Sequence, residues 1–184
     1  MGIMTIKDDA PMPIIAIDFD GTISIVDDYP NCGKIRKYAK RVINFMYKLG
    51  IKIVIWTSRD MAYNQDEKQI YDHLTPMLEF LDNNDVHYDS INKSVQFSPF
   101  PYDSRKIYAH MYVDDRSFGW YGESNGNDRI MLDVLEEFLY RVCRFSRGAA
   151  SQARSAVLKN LEPSEHMIYG VKTWKTRGDM LEPE

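Results

Sequence analysis

Three short apolar runs, each followed at once by carboxyl or hydroxyl side chains, constrain the fold of this chain more than any other feature of its sequence. The runs cover residues 14–17, 51–56 and 108–113. The polar side chains that follow them are Asp18 and Asp20, Thr57 and Ser58, and Asp114 and Asp115. A continuous apolar run that stops at a polar residue is typical of a strand buried on both faces of a parallel sheet.

The segments between these runs have helical periodicity. We expect Gly50 to end the first helix and Pro76 to kink the second or divide it in two. Strands that alternate with helices predict an α/β fold with a parallel sheet. The predicted helices cover residues 35–49, 65–81, 128–145 and, more weakly, 148–161, and residues 86–91 are a further strand candidate.

The carboxyl ends of these strands form the predicted site. In a parallel sheet with right-handed connections, ligands bind beyond the strand ends, where the three polar groups would meet. Four carboxylates close together repel one another, and a hard divalent cation would neutralise them. Mg²⁺ suits carboxylates, a backbone carbonyl, water and a phosphate oxygen. The residues that follow the three strands (18–22, 57–59 and 114–115) contain no His or Cys, which argues against zinc or copper.

The first acidic pair offers two carboxylates that could share the steps of a phosphoryl transfer. Asp18, at a strand end, could attack phosphorus and form an aspartyl-phosphate. Asp20 could protonate the leaving oxygen and then deprotonate a water molecule. Gly21 allows a sharp turn whose backbone N–H groups could cradle a phosphate. Taken alone, this sequence fits a strand-to-turn transition or a calcium loop equally well.

The other strand ends could bind the phosphate and balance its charge. The hydroxyl and N–H groups of Thr57 or Ser58 can bind phosphate oxygens. A lysine is also needed, and Lys106, eight residues before the second acidic pair, is preferred over Lys93. Taken singly, the hydroxyl pair and the second acidic pair fit helix caps or turns better. Their order after three apolar strands favours one shared site.

Together these segments resemble the motifs of the haloacid dehalogenase (HAD) superfamily of Mg²⁺-dependent phosphohydrolases. Residues 17–22 (Ile-Asp-Phe-Asp-Gly-Thr) are similar to its first motif, and residues 55–59 (Ile-Trp-Thr-Ser-Arg) to its second. Arg105-Lys106 fits the third, and residues 113–116 (Val-Asp-Asp-Arg) resemble the fourth. The resemblance spans roughly residues 14–122.

The resemblance implies a role for each residue. Asp18 would be the nucleophile, and Asp20 would be the acid/base and bind Mg²⁺ through its backbone carbonyl. Because dehalogenases and P-type ATPases lack the second aspartate of the first motif, Asp20 favours a phosphatase or phosphotransferase. Which of the two consecutive aspartates ligates the metal directly stays open. The implied sets are catalytic Asp18, Asp20, Thr57 and Lys106, phosphate-binding Gly21, Thr22, Ser58 and Arg59, and metal-binding Asp18, Asp20, Asp114 and Asp115.

The resemblance also implies a three-layer Rossmann-like fold with a central parallel sheet. The stretch after Thr22 and the stretch from Arg59 to Lys106 leave no room for a large cap domain. In this the chain is similar to small bacterial and phage HAD phosphatases. We predict a catalytic domain over residues 1–147 and a C-terminal extension over 148–184, a helix and a tail that dock on the body or form a homo-oligomer.

An open site of this kind admits large substrates, unless loops or a second subunit close it. The analogy with the family favours a nucleotide or another small phosphate monoester. A phosphatase acting on nucleic-acid 5′ or 3′ ends is one alternative, and a phospho-ligand-binding protein on the same scaffold is another. Packing in the core or at the rim is preferred for most of the aromatic residues that could stack on a base. These residues are Tyr29, Tyr63, Phe118, Trp120 and Tyr121.

Composition and charge argue against several other classes of protein. Hydrophobic residues make up 44% and charged residues 27% of the chain, which excludes wholesale disorder. No apolar run suffices for a membrane span or a leader peptide. With two cysteines, the expected compartment is a reducing cytoplasm, of a bacterium or a phage-infected host. Residues 141–177 carry 8 basic and 2 acidic side chains, and helix ends with a solvated tail explain them better than a polyanion patch.

Overall fold

The computed structural model describes residues 12–25, 28–95, 107–117 and 129–173. Its strands are β1 (Ile14–Ile17), β2 (Ser24–Ile25), β3 (Lys34–Ile35), β4 (Lys52–Ile55), β5 (Met61–Tyr63), β6 (Gln69–Asp72), β7 (Ser90–Ile91) and β8 (Met111–Val113). Its helices are α1 (Ala39–Lys48), α2 (Leu74–Asn83), α3 (Ile130–Arg141), α4 (Arg147–Leu158) and α5 (Glu165–Lys172).

Four of the strands form a parallel sheet in the order β7-β4-β1-β8. Ile17 at the end of β1 is in register with Ile55 of β4 and with Val113 of β8. Over its described residues the chain therefore has the predicted α/β fold, with a central four-stranded parallel sheet and five helices, consistent with a Rossmann-like arrangement. Because these three strands are parallel neighbours, the residues that follow them meet at one edge of the sheet.

The two faces of the sheet are covered differently. Ile15 and Ile17 belong to a large hydrophobic cluster to which all five described helices contribute buried side chains. Ile14 and Ala16 point the other way, since side chains alternate along a strand, and join a smaller cluster with Val54 and residues of extended segments. The helical third layer of the predicted fold is not seen within the part of the chain that the structure describes.

The helix predicted over residues 65–81 is wrong in its first half. Residues 61–72 instead form the antiparallel β5–β6 pair, called here the second hairpin. Asn64 reverses the chain, because its Oδ1 accepts hydrogen bonds from the N–H groups of Asp66 at 3.0 Å and Lys68 at 2.8 Å. A side chain that bonds its own backbone in this way favours a turn over a helix.

The position of Pro76 follows from the late start of α2. Oδ1 of Asp72 accepts hydrogen bonds from the N–H groups of Leu74 at 3.0 Å and Thr75 at 2.8 Å, which satisfies donors of the first turn. Pro76 then falls within that turn, where its missing N–H breaks no helical hydrogen bond. It therefore neither kinks nor divides α2, contrary to our expectation.

Helix α1 also begins later than predicted. Strands β2 and β3 pair antiparallel and, with their connection, make up residues 24–35, called here the first hairpin. Tyr38 has a φ of 66°, in the left-handed region that interrupts a right-handed helix, so α1 begins at Ala39. The helix ends before Gly50, whose φ is 88°, as expected for a glycine stop.

Helices α4 and α5 pack against the body of the fold. Ala153 of α4 and Val171 of α5 are fully buried and belong to the large cluster, and α4 packs on both α3 and α1. The predicted boundary at residue 147 and the proposed oligomeric role of residues 148–184 stay predictions.

Part of the basic C-terminal charge is balanced inside the molecule. Arg154 pairs with two carboxylates of α3, and Arg141 and Arg147 share Glu137. Of these arginines only Arg141 lies in the last turn of its helix, as the sequence favoured, whereas Arg147 and Arg154 pair with carboxylates of the neighbouring helix.

Cys32 and Cys143 are both free. No helix among the described residues is long and apolar enough to cross a membrane.

Candidate active site

Three carboxylates converge beyond the carboxyl ends of β1 and β8. The N–H of Asp18 donates to the carbonyl of Val113 at 2.8 Å, which holds the two strand ends together. One carboxylate oxygen from each of Asp18, Asp114 and Asp115 lies within 4.8 Å of the others. This all-oxygen donor set fits a hard divalent cation such as Mg²⁺. The side chain of Asp20 is not part of the group, which leaves its backbone carbonyl for the predicted metal role.

The like charges of this group disturb its ionisation. Burial, followed by the charge of Asp114, raises the pKa of Asp18 from 3.8 to about 7. Burial and then Asp114 also raise the pKa of Asp115. Without a cation, the ionised group is therefore electrostatically unfavourable, and a bound cation would remove that cost.

Gly21 permits the close approach of the two loops that carry the carboxylates. Its φ is +79°, and a Cβ there would lie 2.0 Å from Oδ2 of Asp115, so only glycine fits. The hydroxyl of Thr22 accepts a hydrogen bond from the N–H of Asp115 at 3.0 Å. The N–H of Gly21 donates to the carbonyl of Ser24 at 2.8 Å and is thus engaged within the loop, whereas we expected it to cradle a phosphate.

Arg36 fixes the same loop from the other side. Its Nε donates to the carbonyl of Thr22 at 2.8 Å, and its Nη2 donates to the carbonyl of Gly21. Burial lowers the pKa of Arg36, and the charge of Asp115 opposes that lowering. No motif in the sequence pointed to Arg36, because its contacts join residues brought together only by the fold.

Arg59 holds Asp20 through both carboxylate oxygens. Nη2 lies 2.7 Å from Oδ1 of Asp20, and Nε lies 2.9 Å from Oδ2 and 3.1 Å from Oδ1. The guanidinium also donates to the carbonyls of Pro30 at 2.6 Å and His73 at 3.3 Å. Arg59 is only 1% exposed. It therefore ties the end of β1 to both hairpins, whereas we predicted it to bind phosphate.

The position of Thr57 is set by Asn92. The Asn92 side chain accepts from the N–H of Thr57 at 2.9 Å and donates to its carbonyl at 2.7 Å. The N–H of Thr57 is therefore engaged within the protein, while its hydroxyl accepts from the N–H of Arg59 at 3.0 Å and keeps its own hydrogen. Asn92 directly follows the strand candidate at residues 86–91. Its position at the end of a fourth strand is the sequence signal that could have indicated a role in the site.

These groups surround an open cleft of about 370 Å³. Its described lining consists of Asp18, Asp20, Trp56, Thr57, Ser58, Asp114 and Arg116. The structure thus brings together residues from all three predicted strand ends. Trp56 and Arg116 were quoted in the motifs but given no role, and Arg116 supplies a cation at the cleft.

Several predicted residues are either not described by the structure or not part of the described lining. Lys106 and the aromatic residues Phe118, Trp120 and Tyr121 lie outside the described residues. Lys93 is exposed and is not among the described residues that line the cleft. Of the four predicted phosphate-binding residues, Ser58 alone is in the described lining, and the other three hold the surrounding loops in place.

Comparison with known proteins supports the fold and nothing finer. No family model and no curated protein matches this chain. A solved structure of a conserved protein from Bacteroides thetaiotaomicron is similar, with 23% identity over 67% of this chain and 89% of that one and a TM-score of 0.50. At that identity, the likeness shows the α/β fold alone.

Proposed function

We propose that this protein is a Mg²⁺-dependent phosphomonoesterase of the HAD type, acting through an aspartyl-phosphate on Asp18. The observation that carries the proposal is the single cleft in which Asp18 lies beside Asp114, Asp20 and Thr57. The fold supports it, because the four groups follow neighbouring parallel strands. The resemblance of the four motifs to those of HAD phosphohydrolases supports it independently.

Asp18 and Asp20 divide the chemistry in the proposed reaction. A carboxylate oxygen of Asp18 attacks phosphorus, and the bond from phosphorus to the leaving oxygen breaks. The leaving oxygen takes its proton from Asp20, which thereby becomes the base that deprotonates a water molecule. That water attacks the aspartyl-phosphate, releases inorganic phosphate and restores Asp18.

The hydrogen bonds of Asp20 are compatible with this role. Oδ1 accepts from two nitrogens of Arg59, whereas Oδ2 accepts from Nε alone. Since a carboxylate oxygen has two lone pairs, Oδ2 keeps one for a proton in transit. Asp20 lines the cleft, so Arg59 orients this oxygen without removing it from the reacting groups.

The cleft also offers donors for the phosphoryl group. Thr57 can donate its hydroxyl hydrogen, and Ser58 and Arg116 also line the cleft. When bound, Mg²⁺ would be held by Asp18, Asp114 and Asp115 and would offset the negative charge of the phosphoryl group and the carboxylates. Lys106 remains the proposed phosphate lysine.

Phosphate release tests the proposal directly. The full-length protein is assayed with nucleoside monophosphates, sugar phosphates and phosphorylated oligonucleotides, in Mg²⁺ and in EDTA. We expect release in Mg²⁺ only, and Asp18→Asn should lower it about 10³-fold or more. Asp82→Asn removes an exposed carboxylate on α2 and serves as the matched control.

The intermediate gives a second measurement. Rapid acid quenching of the wild type should trap a phosphoprotein that hydroxylamine cleaves, and Asp18→Asn should trap none. Wild-type turnover retained in Asp18→Asn would refute the mechanism. Tight binding of a phosphate ester without release of phosphate would instead support the phospho-ligand-binding alternative.

A further inference from the structure

Three aromatic side chains meet where the two hairpins adjoin. The hydroxyl of Tyr29 lies 2.7 Å from Nδ1 of His73, and their ring centres are 5.0 Å apart at an angle of 83°. The ring of Tyr71 lies 5.0 Å from that of His73 with an angle of 35°. Tyr29 comes from the first hairpin and Tyr71 from the second, so this aromatic cluster (Tyr29, Tyr71 and His73) forms only when both hairpins are in place.

The cluster leaves aromatic surface open to solvent. Tyr29 is 49% exposed and Tyr71 is 43% exposed. Across the ladder from Tyr71 stands Ala62, whose methyl group is too small to cover a tyrosine ring. Ile70 beside it is 65% exposed. Grouped exposed apolar surface next to a cleft is typical of a binding surface rather than of core packing.

A continuous set of contacts joins the cluster to the cleft. The guanidinium carbon of Arg59 lies 5.0 Å from the centre of the Tyr29 ring, and Nη2 lies 2.7 Å from Oδ1 of Asp20. With one C–N bond between these atoms, the ring centre lies within about 9 Å of that carboxylate oxygen. Asp20 itself lines the cleft, so the cluster lies within a short distance of the cleft, on the side of Asp20 that Arg59 occupies.

The proposed reaction implies which part of the substrate lies beside Asp20. If Asp20 protonates the leaving oxygen, the leaving group must extend from the phosphorus past Asp20. Phosphate and ring are then separated by a short linker, as a pentose separates the phosphate of a nucleotide from its base. Aromatic side chains stack on nucleobases irrespective of base identity, because every base has a π-face.

We infer that the aromatic cluster is the leaving-group subsite of this enzyme and binds the base of a nucleoside monophosphate. The inference rests on the proposed function. Arg59, the cation that contacts the cluster, is 1% exposed and paired with Asp20. The cation that contacts the cluster is therefore already neutralised by Asp20 and is not available to bind a chain of phosphates. This favours a mononucleotide over a nucleic-acid end.

Kinetics on paired substrates test the subsite. The probes are AMP and glycerol 3-phosphate, which carry the same phosphate on leaving groups with and without a ring, and the readout is the ratio of their kcat/KM values. Tyr71→Ala should lower this ratio about tenfold, mainly through the KM of AMP. Tyr71→Phe keeps the ring and should restore the wild-type ratio.

Tyr47→Ala is the matched control. Tyr47 is 38% exposed and packs edge-to-face on His87 at 5.3 Å, so it forms a similar tyrosine–histidine pair on α1. The ratio should stay at the wild-type value in this variant. Circular dichroism and thermal melts of each variant confirm that it is folded.

Direct binding separates this inference from the proposed function. Adenosine is titrated into Asp18→Asn and into the Asp18→Asn/Tyr71→Ala double variant, with saturation-transfer NMR as the readout. Binding lost with Tyr71 supports the subsite even if no substrate releases phosphate, an outcome that would refute only the phosphatase. Equal losses on AMP and glycerol 3-phosphate in Tyr71→Ala, or adenosine binding unaffected by the substitution, would overturn the subsite and leave the phosphatase standing.

Discussion

Replacing Asp18 by Asn should make the metal-free protein more stable, although it removes the proposed nucleophile. Burial and the charge of Asp114 raise the pKa of Asp18 from 3.8 to about 7. Between these two pH values the native state keeps a proton that the unfolded chain has released. The free energy of unfolding of the wild type therefore falls as the pH rises from about 4 to about 7.

The size of the effect follows from that window. Each pH unit is worth about 1.4 kcal/mol, so the window from 3.8 to about 7 gives an upper limit of about 4 kcal/mol. Asp18 is only half-buried, and water screens part of the repulsion, so we expect about 2 kcal/mol. For a protein of this length, that corresponds to a rise in Tm of about 4–8 °C at pH 8. The substitution Asp18→Asn keeps the size of the side chain and removes its charge.

Thermal melts in EDTA at pH 5 and pH 8 measure this directly. The wild type should lose stability between the two pH values, and Asp18→Asn should lose less, with Asp82→Asn as the control for a surface carboxylate. Addition of Mg²⁺ at ten times its dissociation constant should stabilise the wild type by about 1.4 kcal/mol and Asp18→Asn by much less. An Asp18→Asn variant no more stable than the wild type in EDTA at pH 8 would refute the claim that these carboxylates repel one another.

Three further substitutions test the residues that hold the loops of the site in place. Gly21→Ala places a Cβ 2.0 Å from Oδ2 of Asp115 and should weaken the Mg²⁺-dependent rise in Tm; an unchanged rise would show that this contact does not position the carboxylate. Arg59→Met leaves Asp20 without its buried cation and should lower the free energy of unfolding in urea by about 3–5 kcal/mol. A decrease below about 1 kcal/mol would mean that the Arg59–Asp20 pair contributes no more than a surface salt bridge. Asn92→Ala removes both hydrogen bonds to the backbone of the cleft threonine and should cost about 1–3 kcal/mol, with a higher KM for every phosphate ester; a higher KM for AMP alone would contradict it.

The strands and their ends could be predicted from the sequence because their signals are local. The run that ends at Asp18 is apolar throughout, and the alternation of strands with helices selects a parallel sheet. Parallel neighbours then bring Asp18, Thr57 and Asp114 to one edge without further information. The edge of the sheet thus carries most of the candidate site.

The second hairpin could not be predicted because a competing pattern was stronger. Ile70, Leu74, Leu78 and Leu81 recur at helical spacing, yet Ile70 is 65% exposed and belongs to a strand. The hydrogen bonds that the Asn64 side chain accepts from the N–H groups of Asp66 and Lys68 override the periodicity. A helical spacing of apolar residues does not produce a helix when local hydrogen bonds favour a turn and the apolar residues have no core to pack against.

The supporting side chains of the site were missed for a different reason. Asn92 bonds the backbone of Thr57, 35 residues earlier, and Arg36 bonds carbonyls of a loop 14 and 15 residues before it. Such pairs depend on where the folded chain brings residues together. A sequence shows the donors but not their acceptors.

The second hairpin enters and leaves the body of the protein at almost one point, where the N–H of His73 donates to the carbonyl of Asp60 at 3.0 Å. None of its residues belongs to either hydrophobic cluster. The cost of closing a loop grows only slowly with its length, so hairpins of other lengths and sequences can be accommodated between the same two anchor residues. The inferred subsite would thus place substrate selectivity in a hairpin that lies outside both hydrophobic clusters. Grafted or randomised hairpins would test whether substrate preference changes while the stability of the fold does not.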